Sequence, residues 1–93
     1  MYKYKVTKIC QRNTSTQVIR CYVVECDFFT AKITYYGNQG YDAPEVTRTG
    51  TGNDYFHSLN TFLRAFYQDK LEDQFANLKE GKSREFELEK YQY

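Results

Sequence analysis

Asn53-Asp54-Tyr55-Phe56-His57-Ser58-Leu59-Asn60-Thr61-Phe62-Leu63-Arg64-Ala65-Phe66-Tyr67-Gln68 is the stretch on which the fold turns. Its apolar residues Tyr55, Phe56, Leu59, Phe62, Leu63 and Phe66 recur at helical spacing and make one wide stripe, as in a helix laid on a hydrophobic surface. Asn53 or Asp54 can cap the orphan amides at its start. Beyond Tyr67 the apolar positions Leu71, Phe75 and Leu78 fall about a third of a turn round the helix, at roughly 100° per residue. A straight helix cannot press both stripes on one flat sheet. Asp69-Lys70-Leu71-Glu72 also has the acid-x-x-Glu pattern of a fresh helix start. The spacing therefore predicts a helical segment over 53–80, bent or broken near Gln68 and Asp69. Gly81, which accepts a positive φ, ends it.

Residues 1–36, by contrast, alternate. Tyr2, Tyr4 and Val6 interleave with Lys3, Lys5 and Thr7, a half-buried strand with a wet face. Gln11 to Ser15 reads as a polar turn, and Thr16 to Cys26 as a second strand. That strand is apolar on both parities (Val18, Tyr22, Val24 and Cys26 against Ile19, Cys21 and Val23), which predicts a central strand covered on both faces. A third strand runs from about Phe28 to Tyr36. Residues 37–52 hold four of the five glycines and the only proline, Pro44. They read as a long ordered loop or as an edge strand, with Gly37-Asn38-Gln39-Gly40 as the turn and Tyr41 to Arg48 returning; Pro44 limits such a strand to an edge.

At the other end, residues 84–92 alternate again, with Phe86 and Leu88 on one face and Glu85, Glu87 and Glu89 on the other. This glutamate row matches the Lys3 and Lys5 row of the first strand. Opposite charges on neighbouring strands contribute about 0.2–1 kcal/mol per pair, so the last strand is placed beside the first. The expected fold is a single α+β domain over 1–93: an antiparallel sheet of four to five strands with one bent or broken helix packed on one face. Its expected core is Val6, Val18, Tyr22, Val24, Ile33, Leu59, Phe62, Leu63, Phe66 and Phe86.

Composition narrows the function classes. Thirteen Lys and Arg against 12 Asp and Glu leave a net charge of +1 in 93 residues, too balanced for a nucleic-acid coat or an acidic DNA mimic. No apolar run approaches the roughly 18 residues of a membrane span, and Met1 to Lys5 lacks the apolar core of a signal peptide. Three cysteines, Cys10, Cys21 and Cys26, cannot pair completely. Free thiols are expected, and with them the cytoplasm. A zinc site would use these three with His57, but neither cysteine gap has the two-residue knuckle of a metal site. No metal or cofactor is expected.

Catalytic patterns are poor. His57 is the only imidazole, with no serine elbow nearby. Asp69, Glu72 and Asp73 read as a wet face beside a helix start rather than a paired-acid cleft. Gly50-Thr51-Gly52-Asn53 precedes a helix, but no Walker lysine follows. The protein is read as a non-enzyme.

The anomaly is tyrosine, ten of 93 residues with no tryptophan. A domain of this size cannot bury ten phenols without partners for their hydroxyls, so Tyr36, Tyr41, Tyr91 and Tyr93 are expected to stand at least partly exposed. Exposed tyrosines serve as hot spots at protein interfaces or as platforms on which unpaired bases stack. Residues 1–36 carry six basic and two acidic side chains, and residues 37–93 carry seven basic and ten acidic ones. Single-stranded nucleic-acid binding is the alternative, through a basic, tyrosine-rich sheet face of Tyr4, Tyr22, Lys3, Lys5 and Arg20. No RNP-like segment supports it, and the acidic helix and C-terminus repel a phosphate backbone.

Protein binding is therefore the preferred reading, with a homodimer as one form of it. In size and architecture alone the chain is similar to small phage- or mobile-element-encoded inhibitors of host proteins, anti-CRISPR proteins among them; that likeness implies a host protein or complex as partner and the host cytoplasm as location. The expected contacts are Tyr36, Tyr41, Asp42, Glu45 and Arg48, with Asp69 and Asp73 as a second, acidic patch.

Overall fold

A computed structural model of the chain describes residues 1–37, 40–41, 44–50, 52–68 and 70–89. They form strands β1 (Tyr2–Asn13), β2 (Val18–Glu25), β3 (Phe29–Tyr36), β4 (Gly40–Tyr41), β5 (Glu45–Arg48) and β6 (Ser83–Leu88), with helix α1 (Asn53–Tyr67) and a 3₁₀ turn, Leu71–Gln74. All strand pairs are antiparallel, in the order β4-β3-β2-β1-β6, and β5 also pairs with β3. β4 lies beside Tyr35 and Tyr36, β5 beside residues 29–32, so the two share one edge of a sheet five strands across. This is the expected α+β architecture. The segment read as loop or edge strand supplies that edge, where the missing N–H of Pro44 costs the ladder nothing.

The charge rows set the other edge. β6 lies beside β1 with Lys3 opposite Glu87 and Lys5 opposite Glu85, and Glu25 of β2 flanks Lys5 from the far side. Lys3 and Glu87 approach to 3.9 Å. Both are well exposed, so the pair specifies register more than it stabilises.

β1 is longer than its alternation suggests. It continues through Gln11 and Arg12, paired with Arg20 and Ile19, and the turn lies at Thr14–Gln17. There the Thr14 hydroxyl accepts the Gln17 amide at 3.0 Å, a local bond that threonine offers readily. A β-bulge between Lys8 and Cys10 interrupts the register.

Alternation sends Tyr4, Val6, Tyr22, Val24, Phe29, Ala31 and Ile33 to one face, where Phe62 and Phe66 of α1 bury them, with Leu71 and Phe75 beyond the helix. Val18 is half-buried, as are Leu59, Leu63 and Phe86, which pack on the rim of this core. The other face carries no helix among the described residues. Among the described residues β2 is therefore covered on one side only, and Ile19, Cys21 and Val23 are half-buried, as antiparallel sheets allow.

The helical segment ends earlier than the second apolar stripe implies. α1 stops at Tyr67, and Lys70 takes a left-handed φ of 57° before the single 3₁₀ turn. That reversal carries Leu71 and Phe75 back onto the sheet, which a continuous helix could not do. Gly81, with φ 82°, turns the chain into β6; its N–H bonds the Lys8 carbonyl at 2.7 Å. At the other end of α1 the cap is Gly52, without a side-chain bond from Asn53 or Asp54; Asp54 instead places its charge in the first turn.

Gly50 marks a close approach. Thr49 and Gly50 both donate their N–H to the Phe28 carbonyl at 3.0 Å, and a Cβ on Gly50 would meet Phe28 Cδ1 at 2.9 Å and its Cα at 3.0 Å. Gly50→Ala is expected to lower stability by about 1–3 kcal/mol, since backbone must move to admit a methyl group. Denaturant titration against the parent protein measures it.

Candidate functional site

β5 delivers Arg48 to the start of α1, on the helix-covered side of the sheet edge. Its guanidinium lies 4.6 Å from the Tyr55 ring centroid and 5.5 Å from that of Phe56, and the two rings meet edge-on at 5.1 Å. Arg48 Nε donates to the Gly50 carbonyl at 2.9 Å and Nη2 to that of Gly52 at 3.5 Å. The anchoring of residues 49–50 on Phe28 thus fixes where the arginine points. Phe56 is 54% exposed. At roughly 100° per residue it sits about 120° round the helix from Phe62, outside the core stripe. An oriented arginine beside a half-buried tyrosine and an exposed phenylalanine has a composition suited to an interface anchor.

A second cluster is buried and polar. Glu72, 2% exposed, receives Arg20 through two hydrogen bonds of 3.0 and 3.1 Å and the Tyr22 hydroxyl as a third donor. Arg20 also lies 4.6 Å over the Tyr35 ring. Burial works against the Arg20 charge, but the bonds to Glu72 carry its pKa above the ordinary value. Lys8, 1% exposed, donates to Gln11 Oε1 and to the carbonyls of Ala76 at 2.6 Å and Leu78 at 2.8 Å. Three acceptors meet the three N–H groups of an ammonium, although burial lowers its pKa. This cluster fastens residues 70–79 to the sheet.

The uncovered face has mixed charge. Lys3, Lys5, Arg12 and Lys32 alternate across it with Glu25, Glu45, Glu85 and Glu87 by register. A shallow groove of about 530 Å³ runs over its β6–β1–β2 end, where Lys3 and Lys5 lie between the acids Glu85, Glu87, Glu25 and Asp27.

The cysteines separate by parity. Cys10 and Cys21 are directly opposite on the uncovered face, and a hydrogen bond with the Cys21 thiol, assisted by burial, raises the Cys10 pKa. Cys26 packs against the core beside Ser58, its pKa raised chiefly by burial. Among the described residues no group of three His, Cys, Asp or Glu could hold a metal ion, and no helix is long and apolar enough to cross a membrane.

Those of the expected contact residues whose side chains are described do not converge. Tyr36 and Glu45 belong to the uncovered face, Arg48 to the helix start, and Asp73 to the exposed side of the 3₁₀ turn. Asp42, Asp69, Tyr91, Tyr93 and the side chain of Tyr41 lie outside the described residues. Two expectations are corrected. Glu72 is not part of a wet acidic face, because the left-handed turn at Lys70 directs it to Arg20. Tyr4 and Tyr22 form no stacking platform: they are 2% and 0% exposed, on the helix side of the sheet, while Lys3 and Lys5 face the other way. The apolar stripe of the sequence includes Phe56, and its angular offset is the signal that separates it from the core. Comparison with protein-family models, curated proteins and solved structures finds no match.

Proposed function

We propose that this chain is a small non-catalytic binding protein that acts by covering the surface of a partner protein, as expected of the phage- or mobile-element-encoded inhibitors it resembles in size and architecture. The observation that carries the reading is the Arg48–Tyr55–Phe56 patch: an exposed phenylalanine beside an arginine already held by two carbonyls and a ring. Ordering a free arginine on binding costs side-chain entropy, and here much of that ordering is complete beforehand. Burial of Tyr4 and Tyr22 and the mixed charge of the uncovered face favour this reading over nucleic-acid binding.

The test is capture of partners from bacterial lysate by tagged protein, with and without nuclease, in parallel with Arg48→Ala and Phe56→Ala. The expected result is a stoichiometric protein that survives nuclease. Each variant weakens it by at least about 2 kcal/mol, roughly 30-fold, with unchanged melting. Material lost on nuclease treatment, or equal capture by both variants, overturns the assignment.

A further inference from the structure

We propose that Cys10 and Cys21 form a redox-active dithiol that a small disulfide oxidises to an intramolecular cross-strand disulfide, leaving Cys26 free. The two residues are direct partners in the β1–β2 ladder, just past the bulge that follows Lys8. Directly opposed residues of antiparallel strands have Cα atoms about 4.5 or 5.5 Å apart, and disulfides span about 4.4–6.8 Å. Both side chains project from the face that α1 leaves uncovered, and both are half-buried rather than sealed. Cys26 has the opposite parity and packs against the core, so the sheet itself decides which two of the three thiols meet.

The roles of the two sulfurs differ. Cys21 Sγ receives the Thr34 hydroxyl at 4.0 Å and the hydrogen bond from Cys10. The bond to Cys21, assisted by burial, holds the proton on Cys10 and casts Cys10 as the resolving thiol. In the first step Cys21 loses its proton to solvent and its sulfur attacks the S–S bond of a low-molecular-weight disulfide such as oxidised glutathione. A mixed disulfide forms on Cys21 and one glutathione thiol leaves. Cys10 then gives up its proton and attacks the Cys21 sulfur, forming the Cys10–Cys21 bond and releasing the second glutathione thiol. The protein loses two hydrogens and oxidised glutathione becomes two reduced molecules.

The test incubates the folded chain with excess oxidised glutathione, then blocks remaining thiols with an alkylating reagent and measures intact mass. The expected product is monomeric, carries no glutathione, and takes one alkyl group where the untreated denatured protein takes three. Trypsin with a glutamyl endopeptidase separates Cys21 from Cys26 at Glu25 and is expected to yield Ile9–Arg12 joined to Cys21–Glu25. Cys10→Ser is expected to stop at a lasting glutathione adduct on Cys21, whereas Cys26→Ser behaves as the parent. Three alkylatable thiols after treatment, a lasting adduct on the parent protein, a bond to Cys26 or a cross-linked dimer would each overturn the proposal.

Discussion

Glu72→Ala is expected to lower the stability of the fold by about 3–5 kcal/mol, a large share of the roughly 5–15 kcal/mol of a domain. The alanine leaves the Arg20 guanidinium, only 16% exposed, without its bidentate partner and the buried Tyr22 hydroxyl without its acceptor. Those losses exceed the net value of the pair, because a poorly hydrated, uncompensated charge and an unbonded buried phenol remain. Glu72→Gln keeps an acceptor but removes the charge, and is expected to cost less, about 1–3 kcal/mol. Asp73→Ala, one residue on and exposed, stays within about 0.5 kcal/mol. Urea titrations of the three variants measure the differences. A Glu72→Ala protein as stable as the Asp73→Ala protein would show that residues 70–79 are not fastened as described.

Alkali is expected to unfold the protein cooperatively, with two tyrosines ionising only as it unfolds. Burial is the chief cause that raises the pKa of both Tyr4 and Tyr22. Tyr4 donates to the Ser58 carbonyl at 2.7 Å and Tyr22 to Glu72, so each needs its proton to keep its bond. In the unfolded chain both ionise near 10.0. Their stabilisation is complete below that value and is lost as pH rises above it towards the folded pKa values, at about 1.4 kcal/mol per pH unit for each group. Lys8 acts in the opposite sense: its folded pKa is lowered from 10.5, so it favours the fold more as pH climbs through the window below 10.5. Above that window the tyrosines dominate. Tyrosinate absorbance is expected to show these two phenols appearing together with loss of helix signal. Tyr22→Phe, which removes one of the two protons, is expected to halve the slope. Smooth ionisation of all ten tyrosines with the helix intact would contradict the burial of this pair.

Much of the sheet was legible because β structure writes itself in parity. Tyr4 and Val6 against Lys3 and Lys5 gave one covered face, and the Glu85–Glu87 row located β6 beside β1 through charge alone. Lys8 shares the parity of Tyr4 and Val6, which puts it on the helix side. What the pattern cannot show is that Ala76 and Leu78 bring carbonyls to it from far along the chain. Glu72 departs from its expected place on a wet face for a related reason. Local acid-x-x-Glu spacing resembles a helix start, whereas the turn at Lys70 depends on tertiary packing of Leu71 and Phe75. In the candidate site Arg48 was legible as part of the glycine-rich segment. Its aromatic partners were absorbed into an apolar stripe drawn too wide, since Phe56 lies well off the axis through Phe62 and Phe66.

The most direct measurement is amide hydrogen exchange of the protein alone and bound to its captured partner. The expected result is slowed exchange at Val46–Gly50 and Asn53–His57, around Arg48 and Phe56, with Tyr2–Val6 and Ser83–Leu88 unchanged. Slowing confined to those two outer strands, with the helix start unaffected, would contradict the site proposed for this protein.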